Sequence, residues 1–253
     1  MMQQYRFRTH RGLNIVLISV TIALILWVDA LFYFTIHLAE ELSAYTSVNS
    51  IDSLSVTQFD IWGSRLPEIN RDLSIVCGLA WPLTPIFRAA NFLPGLGKSI
   101  GQVPVLLQFS ANLAEAGHLL YTDLSPMMAM THAEMLTEDY LHQIYSILSD
   151  AQPALASAAE ILADAKAIRS EIDTAQLPEE IAHPIRLFDE RYDEIQQGLQ
   201  ILMVIPDLLG TVEQPRAYLV LAQNHDELRA TGGFISGIGV AEFAAGDLLR
   251  LTM

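Results

Sequence analysis

Apolar and polar positions along this chain follow three different periods, and each period predicts a different element. Residues 13–38 are almost uniformly apolar. A helix across the hydrocarbon core needs about 20 such residues, so 13–37 reads as a transmembrane anchor. A cleaved signal peptide is the competing reading, disfavoured by the length of the run and the lack of a clean small-x-small site. Beyond Leu38 the apolar positions recur at steps of three and four, the spacing of amphipathic helices. Leu38, Leu42 and Tyr45 share one face, and Phe59, Trp62, Leu66, Ile69, Leu73 and Val76 form a second stripe. Pro67 weakens that second helix, because an interior proline removes a hydrogen bond and crowds the preceding turn. Four further stripes come after it. They run through Leu106, Phe109, Leu113, Ala116 and Leu120 (with Pro104 in the first turn), then Leu141, Ile144, Tyr145 and Leu148, ending near Asp150. The third runs through Leu155, Ala158, Leu162, Ala165, Ile168 and Ile172. The fourth runs through Ile181, Ile185, Phe188, Tyr192, Ile195, Leu199 and Leu202, ending at Pro206. Such stripes suit antiparallel helical hairpins or coiled-coil-like packing.

The period changes again after Arg216. An apolar run over 218–222 reads as a strand, a polar cluster breaks it, and a second run covers 234–243. Gly246 and Asp247 then turn the chain into a third. The fold class expected is mainly α: a basic tail over 1–12, the anchor over 13–37, a helical stalk or bundle over 38–210, and the first strands of an α/β domain over 211–253. Three strands cannot cover both faces of a sheet, so that last domain is expected to be truncated.

Residues 73–87 raise the question of a second membrane span. Pro82 and Pro85 interrupt the run and Arg88 ends it after about 15 residues, short of a bilayer. A buried bundle helix is expected, with a membrane-surface segment as the other reading.

Charge assigns sides. Arg6, Arg8 and Arg11 precede the anchor and Glu40 and Glu41 come after it, which puts the N-terminus in the cytoplasm and the bulk of a single-pass protein outside. Asp29 lies near the outer end of the span, within reach of the headgroups. The chain carries 14 basic and 29 acidic residues; after Leu38 the counts are 11 and 28. That excess disfavours nucleic acid and anionic headgroups as direct partners. The single Cys77 rules out an internal disulfide and sits in an apolar setting as a packed thiol.

Candidate chemistry is sparse. No HExxH, GxSxG, P-loop or paired CxxC is present, and no cofactor is evident. The histidines are scattered; His132 and His142 are ten apart, too far for one helical turn, and no acid partner is expected for them. Met127, Met128 and Met130 read as gap-filling residues at a turn or helix start. The loop between the first two strands is the richest stretch. Asn224, Arg229, Thr231, Gly232 and Gly233 are candidate ligand-binding residues: arginine can grip a phosphate or carboxylate bidentately, and Thr-Gly-Gly can offer backbone N–H groups to an anion. Asp226 and Glu227 could hold a divalent cation through oxygen ligands. The competing reading makes Arg229 a partner of those acids and the glycines mere turn residues.

A resemblance rests on Pro206-Asp207-Leu208-Leu209-Gly210, on Arg216 to Leu221, and on Gln223-Asn224 with Glu227-Leu228-Arg229-Ala230-Thr231-Gly232-Gly233-Phe234-Ile235. These residues resemble the bacterial domain-of-unknown-function family 4012. His225 and Asp226 stand where its pattern is more Asn-like. The resemblance implies a membrane-anchored, outward-facing protein of the cell envelope, a binding or assembly module. The layout of an anchor and then an outward α/β domain is also similar to the LytR-CpsA-Psr phosphotransferases. That similarity implies an alternative: metal-assisted transfer of a lipid-linked glycan to the cell wall. Arg229 would then contact pyrophosphate and Asp226 a magnesium ion. The partners expected are the bilayer through 13–37 and a cell-wall or lipid-linked glycan.

Overall fold

A computed structural model of the protein describes residues 19, 21–23, 25–31, 33–35, 37, 63–90, 97–130, 139–224 and 234–252. Outside turns, everything described before Gly210 is helical: α1 (Thr21–Thr35), α2 (Leu66–Ala80), α3 (Thr84–Ala90), α4 (Gly97–Gly101), α5 (Val103–Met128), α6 (Tyr140–Asp150), α7 (Gln152–Arg169) and α8 (Glu179–Leu209). Three strands close the chain: β1 (Arg216–Asn224), β2 (Phe234–Ala244) and β3 (Asp247–Thr252). A mainly helical protein with a small C-terminal sheet is what the periods predict. The anchor expected over 13–37 falls only partly on described residues, and the stretch 38–62 lies outside them. The chain divides into two compact units, Met1–Ala114 with Ala167–Ala182, and Glu115–Lys166 with His183–Met253.

In the first unit the core is Ile69, Leu73, Val76 and Ala114, with Phe34 and Leu107 packed against it. Pro67 proves compatible with α2 because it sits in the first turn, where a missing N–H removes no helical bond. The prolines at 82 and 85 do not stop the helix either. The Trp81 N–H donates to the Cys77 carbonyl, and a 3-10 turn over Trp81–Leu83 absorbs Pro82 before α3 begins. Leu66–Ala90 is therefore continuous over 25 residues, and it is the one helix among the described residues long and apolar enough to cross a membrane by length and composition. Length alone thus does not exclude a span here. The expectation of a buried helix over 73–87 also fails in part, since no residue of 81–90 is buried. At another corner of this unit the Gln102 side chain satisfies both backbone groups of Asp173. Its Oε1 accepts from the Asp173 N–H at 2.7 Å and its Nε2 donates to the Asp173 carbonyl at 3.3 Å.

The second unit is built on the α7–α8 hairpin. Gln152 Nε2 donates to the Met203 carbonyl (3.3 Å), Gln196 Nε2 to the Ala159 carbonyl (3.2 Å), and Lys166 Nζ to Asp189 Oδ1 (3.1 Å). Positions 152, 159 and 166 rise in steps of seven as 203, 196 and 189 fall in steps of seven, the register of an antiparallel coiled-coil-like pair. Ala154, Leu155, Ala158, Leu162 and Ala165 are the buried stripe of α7, as its spacing predicts. Full burial of Leu148 and Leu155 stabilises the unit by about 1.5–3 kcal/mol each. Met127 and Met128 end α5 rather than starting a helix, and α8 continues past Pro206 to Leu209.

Candidate functional site

The sheet is an antiparallel meander in the order β1-β2-β3. β1 and β2, which flank the loop predicted to carry chemistry, thus pair as an antiparallel hairpin. The register runs from Arg216↔Phe243 at one end to Asn224↔Phe234 at the other. Nine residues of strand separate the two ends by roughly 27 Å.

One end is locked to helices. Gly210 ends α8 at φ +69°, the left-handed cap that lets the chain reverse after a helix. Its carbonyl accepts from the Ala245 N–H at 2.9 Å. Arg216 Nε donates to the Asp207 carbonyl at 3.0 Å, and the Tyr218 hydroxyl donates to the Leu208 carbonyl. Ala245 and Gly246 have φ of +51° and +84°, the two positive values that a type I′ hairpin turn needs. The β2–β3 turn is therefore Ala245-Gly246, one residue before the pair predicted, and Asp247 opens β3 instead. Gly246 lies hard against the backbone of Leu141 and His142 on α6. His142 Nδ1 sits 3.3 Å from Asp247 Oδ2, so this histidine does have an acid partner, one that the fold brings from β3.

The other end carries the candidate loop. Asn224, the first candidate ligand residue, closes β1 opposite Phe234. Asp226, Glu227, Arg229, Thr231, Gly232 and Gly233 lie outside the described residues. Just below the loop the register slips: Ala222 pairs with Gly237 but Gln223 pairs with Ile235. Ser236 is the extra residue, and its Oγ donates to the Ala222 carbonyl at 3.2 Å. Such a bulge bends the strand and re-aims the residues beyond it, a device common beside functional loops. Gly237 faces the Ala222 Cβ at 3.6 Å, an ordinary contact. Many apolar side chains of the sheet are exposed, among them Leu219, Ile238 and Leu249.

Elsewhere the described residues offer one polar cluster that the sequence conceals. Asp72, 1% exposed, lies on the buried face of α2. His37 Nδ1 approaches its Oδ2 at 2.8 Å and Arg71 Nε donates to its Oδ1 at 3.1 Å. The partners His37 and Asp72 are 35 residues apart in sequence, with 38–62 between them, so no local pattern could pair them. An open depression of about 350 Å³ lined by Pro126, Ala129, Met130, Gln143, Ser146 and Ile147 contains no ionisable side chain among its described lining. Among the described residues no group of three or more His, Cys, Asp or Glu is placed to hold a metal.

Comparison with known proteins adds one match. The sequence model of a family described as protein of unknown function (DUF4012) matches residues 213–252, the whole of the sheet and the hairpin loop. No curated protein and no solved structure matches the chain.

Proposed function

We propose, from the DUF4012 match over the sheet, that this chain is a single-pass membrane-anchored protein of the cell envelope. Its helical stalk holds a hairpin binding module outside the membrane, and loop 225–233 is the ligand contact. The observation that carries this reading is the unlike chemistry of the hairpin's two ends. The turn end is fixed to α6 and α8 by Gly210, Arg216, Tyr218 and Gly246. The opposite end closes on Asn224↔Phe234 below a bulge and carries the acidic pair, the arginine and the Thr-Gly-Gly run. A rigid two-strand arm with a polar tip suits recognition better than packing. Arg229 is the main anion contact in this reading, because its planar fork matches phosphate oxygens where lysine offers a point charge. Asp226 and Glu227 beside it make sense when a divalent cation bridges them to the phosphate, since the acids alone would repel it.

The test uses the full-length chain in detergent, with farnesyl pyrophosphate and magnesium as the probe. Arg229→Lys should leave thermal unfolding unchanged while weakening binding about tenfold or more, the scale of one lost charged hydrogen bond. Chelating the magnesium should weaken the parent likewise. Full retention of affinity in Arg229→Lys, or no binding by the parent, would reduce the loop to a structural turn.

A further inference from the structure

The helix that begins at Leu66 changes character halfway. Its first part, Leu66–Ala80, buries Ile69, Asp72, Leu73, Val76 and Ala80. Its last ten residues, 81–90, bury none, and they include Trp81 at 76% and Ile86 at 64% exposed. Pro82, Leu83, Pro85 and Phe87 fill out an apolar surface whose one charge is Arg88. Left in water, such a surface is unfavourable by about 25 cal/mol for each Å² that could be covered.

The place where the helix starts says what covers that surface. Asp72 is joined to His37, at the end of the apolar segment containing α1, by the 2.8 Å contact, and Phe34 packs against the Ile69–Leu73–Val76 core. With 13–37 read as the anchor, α2 is therefore held, along Ile69–Val76, beside the point where that anchor would leave the bilayer. We infer that residues 81–90 lie in the outer interface of the same bilayer, as a second, non-spanning membrane contact. This rests on reading residues 13–37 as the anchor. Ten helical residues reach about 15 Å, half of the hydrocarbon thickness. The preceding fifteen carry Glu68, Arg71 and Asp72 and pack one face, Ile69 to Ala80, on protein. Tryptophan at the head of the segment suits the headgroup boundary, where an indole keeps its N–H wet and its ring buried. A single arginine in an acidic chain gives little pull toward anionic lipid, so the contact is apolar and should persist in neutral bilayers.

The full chain reconstituted in phosphatidylcholine vesicles tests this with brominated lipids. Trp27→Phe/Trp62→Phe leaves Trp81 as the reporter; Trp62→Phe/Trp81→Phe leaves Trp27. Trp81 emission should shift to the blue and be quenched more by bromines near the headgroup than by bromines near the bilayer centre. Stronger quenching from the centre would mean a span and overturn the inference. Quenching of Trp27 with none of Trp81 would also overturn it while leaving the anchor standing. Absence of quenching at both would remove the anchor and this contact together. If a phenylalanine variant fails to fold, a bimane label on Ile86→Cys in a Cys77→Ser background reads the same depth.

Discussion

Gly246 shows how single residues set this fold. At φ +84° a Cβ would be strained, and it would run into the Leu141 carbonyl oxygen and lie 2.7 Å from His142 Cα. Both objections are to backbone, which cannot swing aside. Gly246→Ala should therefore destabilise the chain by about 2–4 kcal/mol, strain and overlap together. Gly198 is the internal control: it lies within α8 and a Cβ there meets nothing within 4 Å. Gly198→Ala should stabilise by up to about 1 kcal/mol, because alanine suits a helix interior better. Urea unfolding of the two variants in detergent checks the pair, and equal stability for both would mean that the turn does not seat on α6. Glycine's place in a turn was legible in the sequence. The helix it abuts was not, because a close approach between residues distant in sequence leaves no local mark. The buried carboxylate of Asp72 is the same kind of case: a charged residue on an apolar stripe looks like an error until the fold brings His37 to it.

At the scale of elements, the α7–α8 hairpin is the part of the helical region with the most regular register. Its polar contacts fall at matched steps of seven, and Ala158 and Ala165 on the buried stripe are fully covered. Small residues there allow close helix approach, so Ala158→Leu should overpack the seam and destabilise by about 1–3 kcal/mol. A thermal melt monitored by circular dichroism would show it, and an unchanged midpoint would mean a looser seam than the register implies. The apolar period was enough to predict the buried face of α7, since Leu155, Ala158, Leu162 and Ala165 all lie on it, but not which helix covers that face. Proline was the poorer guide. Pro67 falls in a first turn and Pro82 in a 3-10 turn, where the lost N–H can be tolerated, and Pro206 lies within α8, which nevertheless continues to Leu209. Apolar runs and glycine located the strands closely, yet they did not tell antiparallel from parallel pairing, which depends on the partner rather than on the strand.

At the scale of the whole molecule, the proposed arrangement is an anchored helical protein with an acidic exterior and a polar hairpin tip outside the cytoplasm. Its electrostatics agree with that arrangement: three arginines precede the anchor, and 28 acidic residues lie beyond Leu38. The candidate tip was legible as chemistry, because Asp226, Glu227, Arg229 and the Thr-Gly-Gly run stand out against an otherwise apolar stretch. That the strand ends flanking it, Asn224 and Phe234, stand opposite the end seated on α6 was not, because that depends on the lock between Gly246 and α6. The side of the membrane on which the hairpin stands is the claim on which the rest depends. A single cysteine at the exposed turn residue Glu213, introduced with Cys77→Ala, reports it by reaction with a membrane-impermeant maleimide. An outward hairpin predicts labelling of Glu213→Cys in intact cells, and labelling of His10→Cys only after lysis. Labelling of Glu213→Cys only after lysis would place the hairpin in the cytoplasm and contradict it.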